Sequence, residues 1–391
     1  MAGRTTGLGI AGDGTPGAAE PIRGHVLRWA ARRSLRPAAV ALVSRIGVLA
    51  LAAAVAAVTH QTFVQPLTSW DSSWYLKAAA GYPHHLLPGT GNAAQDALGF
   101  FPALPVLIRI VHLVLQTGYT TSGLLVTSIT GITAGVAVWW LVDDLYGPEA
   151  ADRGTVLVLW SPGAFVLSMV YGEGLLITAG AFMLLALRRR WWITAGLLGA
   201  VVSATDPVGI AVIAPCVWAA WPALRGGDRR ALAAPLLAPA GIGAFFLYLW
   251  VEVGTPFAWF ITQRRGWQGG PLFTSVPGQI GGVFVDGFGN PNTTIKAAGA
   301  VVAATFLVVL WRSRPDSTVM AYVLAVLVLG AMSPVVGWSP RLVLRDFPLL
   351  ALVAPRIPER WFGPVLGLSA LLLAVVAALA WSGSSAIYFT P

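Results

Sequence analysis

The run Trp70-Asp71-Ser72-Ser73-Trp74-Tyr75, continuing to Gly81-Tyr82-Pro83, sets one carboxylate among two indoles and a phenol. Aromatic faces cover the C–H surface of a sugar ring, and a carboxylate takes a proton or accepts a hydroxyl hydrogen bond. The same residues also fit a bilayer–water interface, where Trp and Tyr collect and an Asp is solvated. Asp71 before Ser72 and Ser73 fits a helix N-cap as well. A second stretch, Gln263-Arg264-Arg265-Gly266-Trp267, places two guanidiniums side by side. Such a pair holds a phosphate by paired hydrogen bonds, or simply meets bulk lipid headgroups. Arg341 and Arg345, four residues apart, share a face if their stretch is helical, and add phosphate or carboxylate partners. Tyr171-Gly172-Glu173-Gly174 sets an acid in a tight reversal, where it pairs with an arginine or touches a sugar. His84-His85 lies near Asp71, but adjacent loop histidines are more often solvated than metal-bound. No metal or other cofactor is indicated.

The elements that must position these residues are membrane helices. Of 391 residues, 56% are hydrophobic and only 10% charged, against roughly 25% charged in a soluble domain. So few charges cannot cover a water-facing surface, which makes the chain an all-α polytopic membrane protein. The net charge of +9 is spread in short clusters between apolar runs, a topology signal that points to anionic headgroups rather than nucleic acid. The single cysteine, Cys216, lies inside an apolar run and reads as core filler; no disulfide framework or thiolate metal site follows.

Residues 1–37 read as a disordered, basic, cytoplasmic N-terminus, and the run 38–58 as a retained first helix with its start inside. Asp71 is then outside. The run 99–115, with two early prolines, Arg109 and His112, reads as a helix lying at the outer interface. A cytoplasmic turn is expected from Asp143-Asp144 through Arg153. The remaining runs, 119–141, 154–170, 175–187, 191–204, 210–223, 231–251, 295–311, 317–333, 346–354 and 361–380, bring the total to about eleven spans within 38–381. Outer loops fall at 61–118 and 252–294, and 382–391 is an outer tail. This threading puts Arg188–Arg190, Arg225, Arg229, Arg230, Arg312, Arg314, Arg356 and Arg360 inside. It leaves Asp71, Glu173, Asp206, Arg264, Arg265, Arg341 and Arg345 at the outer face, where topology asks for no charge. Such a gathering is a candidate site. There is no long soluble domain, strand–helix alternation or DxD motif for a cytosolic nucleotide sugar. A sugar donor would therefore arrive in the membrane as a lipid-linked phosphate. A flippase or transporter would instead show paired halves and charges at the midplane; no internal repeat is visible.

With these residues in hand, the chain resembles the PIG-V family of multi-spanning mannosyltransferases, within the GT-C glycosyltransferase superfamily. The matching segments are Trp70–Tyr75 with Gly81-Tyr82, Phe100-Phe101-Pro102-Ala103-Leu104-Pro105, and Ser161-Pro162 leading to Tyr171-Gly172-Glu173. Tyr248-Leu249-Trp250, Gly254–Ala258, Gln263–Trp267, and Pro340-Arg341 with Phe347-Pro348 follow in the same order. The resemblance implies a GT-C fold with an outer-face active site and interfacial helices in the first outer loop. It implies polyprenyl-phosphate-mannose as donor and an inverting transfer to a lipid-linked or other extracytoplasmic hydroxyl, with Asp71 as general base. The candidate donor and substrate contacts are Arg264, Arg265, Arg341, Arg345, Gln263, Trp267, Trp70, Trp74, Tyr75, Tyr171 and Glu173. Another polyprenyl-linked sugar, a flippase, and a non-catalytic lipid-binding subunit are the alternatives. Two departures stand out: relatives carry Ser, Thr or Ala where this chain has Gly172 and Gly174, and Asp206 stands where an arginine is expected. The Ala/Arg/Gly-heavy composition is that of a high-GC, actinobacterial-like genome, so the eukaryotic glycosylphosphatidylinositol acceptor is not expected.

Overall fold

A computed structural model of the chain describes residues 19–267, 281, 285, 291–332 and 339–383, and among them all regular structure is helical. Residues 1–36 and 37–391 form separate compact units. In chain order the helices longer than one turn are α1 (Ala19–Val58), α2 (Ser72–Ala80), α3 (Ala103–Leu115), α4 (Tyr119–Tyr146), α5 (Pro148–Leu159), α6 (Glu173–Arg188), α7 (Trp192–Ser203) and α8 (Ile213–Arg225). They continue with α9 (Ala233–Leu237), α10 (Ala240–Val253), α11 (Ala258–Gly266), α12 (Pro291–Arg312), α13 (Ser317–Met332), α14 (Pro340–Arg345), α15 (Phe347–Val353) and α16 (Glu359–Trp381). Short 3-10 turns join several of them.

Helix already begins at Ala19, inside the stretch expected to be disordered, because Ala, Leu and Arg there favour helix over coil. Residues 1–18 lie outside the described part. Five described segments are long and apolar enough to cross a bilayer: 33–58, α4, 207–225, 293–312 and α16. A sixth arises if 229–237 and α10, bent by 46° at the break, act as one. The expected count of eleven therefore exceeds what length alone carries. Several expected spans are short helices, among them α7, α13 and 347–356. α3, of 13 residues, is about 20 Å long and too short to cross the hydrocarbon core alone.

The broad cytoplasmic turn expected through Arg153 is instead a single residue. Gly147, at φ +85°, closes α4, and Pro148 opens α5 at the next position, so Arg153 is helical. α4 and α6 then run parallel. Thr133 meets Thr178 (Oγ1–Oγ1 3.1 Å), and Asp144 meets Arg188 (2.9 Å) three turns, about 16 Å, further along both helices. The segment between α5 and α6, expected as the outer half of a span over 154–170 that reverses at Tyr171–Gly174, is instead irregular and 3-10 backbone, buried almost throughout. Arg45 of α1 holds it there. Its guanidinium donates to the carbonyls of Leu159 (3.0 Å) and Ala164 (2.7 Å) and to Ser168 Oγ (3.2 Å). Those carbonyls belong to the end of α5 and the 3-10 turn after it, where helix termini leave acceptors unsatisfied. The reversal is thereby pinned, and Tyr171 and Glu173 follow directly from it.

Candidate active site

Five charged side chains from four segments meet in one chain of alternating sign. Asp71 Oδ2 receives Arg341 Nη1 at 2.7 Å. Arg341 Nε donates to Glu173 Oε1, and the same oxygen receives Arg345 Nε at 3.0 Å. Arg345 Nη2 in turn reaches Asp206 Oδ2 at 2.6 Å. α14 is helical, so Arg341 and Arg345 do share a face, and that face meets the first residue of α6. Four of the five are nearly sealed; Asp71, with 19% of its side chain exposed, is where the chain of charges surfaces. Three acids against two guanidiniums leave the cluster with one surplus negative charge when all are ionised.

Local structure aims Asp71 at this partner. Trp70 sits in the left-handed region, φ +56°, a conformation that costs a bulky residue on the order of 1–3 kcal/mol. It is held by an indole hydrogen bond from Nε1 to the carbonyl of Ala380, 2.7 Å. The Asp71 N–H donates to the Tyr171 hydroxyl at 3.1 Å, and the Tyr171 ring lies 4.5 Å from the guanidinium carbon of Arg341. Asp71 does occupy the N-cap of α2, but its side chain makes no capping bond. The carboxylate is committed to Arg341 instead.

The two glycines that depart from the family pattern have a steric reason. A Cβ on Gly174 would lie 2.8 Å from Thr130 Oγ1 and 2.9 Å from the Gly131 nitrogen, and one on Gly172 would lie 2.8 Å from Thr205 Cγ2. The α6 start is packed directly on the α4 backbone, with no space for a side chain. Asp206, where an arginine was expected, supplies the second carboxylate of Arg345 and also caps the following turn through Val208 N–H, 2.9 Å. It was legible as a member of the charges gathered at the expected outer face, but not as the partner of Arg345. Its partner lies 139 residues away.

An aromatic wall adjoins Asp71. Trp74 stacks near Phe100 (6.2 Å between centroids) and meets Trp267 edge-on at 5.9 Å, while Tyr75 lies 5.1 Å from Phe100 and 6.1 Å from Tyr171. α11 is docked here by Gln263 Nε2, which donates to the Gly99 carbonyl at 2.8 Å, and by Trp259 Nε1 on the same oxygen at 3.1 Å. Arg264 and Arg265, in the last turn of α11, are exposed and make no ion pair with the Asp71–Asp206 chain. Lys77, which sequence reasoning passed over, sets its ammonium 3.9 Å above the Trp74 ring; the i, i+3 spacing in α2 was the available signal. His84 pairs with Glu252 at 3.0 Å in an exposed position. Among the described residues no three His, Cys, Asp or Glu side chains gather as a metal site. Cys216 is buried and unreactive in its surroundings, as a core filler is. In the loop between α2 and α3, burial raises the Asp96 carboxyl above its ordinary value; the N–H groups of Ala97 and Leu98, and then His85 and Lys77, offset this only in part.

No protein-family model matches the chain, and no curated protein matches it by sequence. Among solved structures, it is similar to ArnT from Cupriavidus metallidurans bound to undecaprenyl phosphate, with 16% identity, TM-score 0.48, and coverage of 86% of this chain and 75% of that one. It is also similar to the Archaeoglobus fulgidus oligosaccharyltransferase in the apo form, with 13% identity, TM-score 0.44, and coverage of 88% and 55%. For the archaeal oligosaccharyltransferase AglB with an inhibitory peptide and a dolichol-phosphate, the values are 12%, 0.40, 86% and 55%. The chain thus spans about half the length of the oligosaccharyltransferases.

Proposed function

We propose that this chain is a membrane glycosyltransferase of the GT-C kind. It transfers mannose from polyprenyl-phosphate-mannose to a hydroxyl of a lipid-linked or other extracytoplasmic acceptor, with inversion, on the outer face of the cytoplasmic membrane. The observation that carries this reading is Asp71 at the open end of a buried ion chain, beside an aromatic wall. Its Oδ2 is taken by Arg341, while 19% of its side chain stays exposed. In the transfer, the acceptor oxygen attacks the anomeric carbon as its proton passes to Asp71. The bond from that carbon to the phosphate oxygen breaks, and its electrons leave with the polyprenyl phosphate.

The four arginines divide into two roles. Arg341 and Arg345 are already neutralised by carboxylates, so their part is to hold Asp71 and Glu173 in place. Arg264 and Arg265 have no carboxylate partner among the described residues and stabilise the leaving phosphate, where charge develops. Trp74 and Trp267, with Trp70 behind Asp71, offer the apolar surface a sugar ring needs, and Tyr75, buried beneath them, backs that wall rather than touching the ring. The metal question does not enter this step, since the proton acceptor and the cations are the chain's own.

The purified protein alone, given polyprenyl-phosphate-mannose and a defined lipid acceptor, is expected to form product. Asp71→Asn is expected to lose about 10²- to 10⁴-fold in turnover, the usual share of a general base, with unchanged melting and donor binding. Full turnover in Asp71→Asn would remove it from the mechanism. A donor panel with mannose, glucose and arabinose on the same carrier separates the sugars; transfer of glucose or arabinose in preference to mannose would replace the sugar and keep the chemistry.

A further inference from the structure

At the end of the bundle remote from Asp71, an apolar groove of about 730 Å³ opens between α8, the end of α12 and the start of α13. Its walls include Trp218, Trp311, Met320 and Leu324, and Arg312 and Arg314 stand at its lip. α6 measures the separation. It rises about 22 Å from Glu173, in the ion chain, to Arg188, which pairs with Asp316 two residues beyond Arg314.

Basic residues at this end have an ordinary topological explanation, but topology does not decide which of them stay unpaired. Arg188 and Arg189 share Asp144, Arg188 also holds Asp316, and Arg153 meets Glu359. Asp316 is further occupied by the Thr318 and Val319 N–H groups. Arg312 and Arg314 are exposed and have no ion pair or side-chain hydrogen bond among the described residues. Trp218 and Trp311 beside them are 56% and 62% exposed. Two unneutralised guanidiniums over an apolar cleft flanked by indoles match an occupant with a negative head and greasy tails. The indoles sit at headgroup level and the cations meet the phosphate.

We propose that this groove binds one anionic phospholipid of the leaflet opposite the Asp71 site, its phosphodiester at Arg312 and Arg314 and an acyl chain along Trp218, Met320 and Leu324. A zwitterionic lipid brings the same tails, but its headgroup cation offsets the phosphate, and the nearest carboxylate, Asp316, is already engaged. The site stands independently of the sugar-transfer reading.

The full-length protein in neutral detergent is titrated with dioleoyl-phosphatidylglycerol or dioleoyl-phosphatidylcholine, and retained lipid is counted by native mass spectrometry. The wild type is expected to retain the glycerol lipid at least about tenfold better, from two basic residues acting on one anionic head. R312Q/R314Q is expected to lose most of that preference. R360Q, an exposed arginine next to the Glu359 that pairs with Arg153, is expected to keep it. Trp218→Ala is expected to weaken retention of both lipids through the apolar wall. Equal retention of the two lipids by the wild type overturns the proposal, as does an equal loss of preference in R360Q, because bulk charge alone would then be read. A dimer that excludes lipid from the groove overturns it too. Melting is followed in every variant; should R312Q/R314Q unfold, the wild-type comparison and Trp218→Ala still decide.

Discussion

Asp71 and Arg341 form one ion pair, yet they answer to different constraints. Asp71 is partly open, and its loss leaves Arg341 still bonded to Glu173. Arg341 is sealed, and its removal leaves Asp71 without its cation and buried Glu173 with Arg345 alone, which Asp206 also holds. Arg341→Gln is therefore expected to cost about 3–5 kcal/mol, the penalty for breaking a buried ionic network. Asp71→Asn is expected to melt within about 1 kcal/mol of the wild type. Paired unfolding curves in detergent check the contrast. Equal destabilisation would make Asp71 a structural member of the network. Glu173 behaves as its sequence setting allowed: it pairs with arginine, accepting from both through one oxygen, while its other oxygen is buried with no partner.

Among the elements, the start of α6 is the most tightly constrained. Gly174→Ala must push Thr130 or the α4 backbone aside, so it is expected to destabilise by about 1–3 kcal/mol and to lower turnover by displacing Glu173. Gly243, on α10, has open space around its Cβ position. Gly243→Ala is expected to gain about 0.5–1 kcal/mol, from helix propensity alone. Thermal melting separates the two, and a neutral Gly174→Ala would refute the packing account. The loop between α2 and α3 carries its own pH dependence. Burial raises the folded Asp96 carboxyl above its unfolded value, so the neutral form is the one the fold prefers. Its contribution is fully present below the unfolded value and is lost as pH rises through the raised folded one. Asp96→Asn is expected to match the wild type near pH 4 and to be more stable at pH 7, as melting across that range would show.

On the scale of the whole molecule, sidedness is the open structural consequence. Cys216 is the only cysteine and is buried, so single cysteines introduced elsewhere report without background. His85→Cys lies exposed in the loop after α2, and Arg229→Cys lies exposed beyond α8, at the Arg188 end. In intact cells an impermeant maleimide is expected to label the first and to reach the second only after permeabilisation. The reverse pattern would place the Asp71 site on the cytoplasmic side and remove the proposed donor geometry.

Composition by itself determined the all-α membrane class, because a chain with so few charges cannot present a wet surface. Local chemistry also fixed much of what surrounds the site. Arg341 and Arg345 were placed on one face by their spacing, if helical, the Arg264–Arg265 pair was marked as a phosphate holder, and Asp71 was singled out by its neighbours. Pairing was beyond reach. That Arg341 binds Asp71 across 270 residues and Arg345 binds Asp206 across 139 depends on helices that meet only after folding, and charge type alone does not choose among partners. The same limit hid Arg45, whose ligands are backbone carbonyls carrying no sequence signature, and it hid the one-residue turn at Gly147. Length and apolarity alone carry five or six spans among the described residues against the expected eleven for a related reason: a buried helix is satisfied by its neighbours, so its length need not match the bilayer that hydropathy measures against.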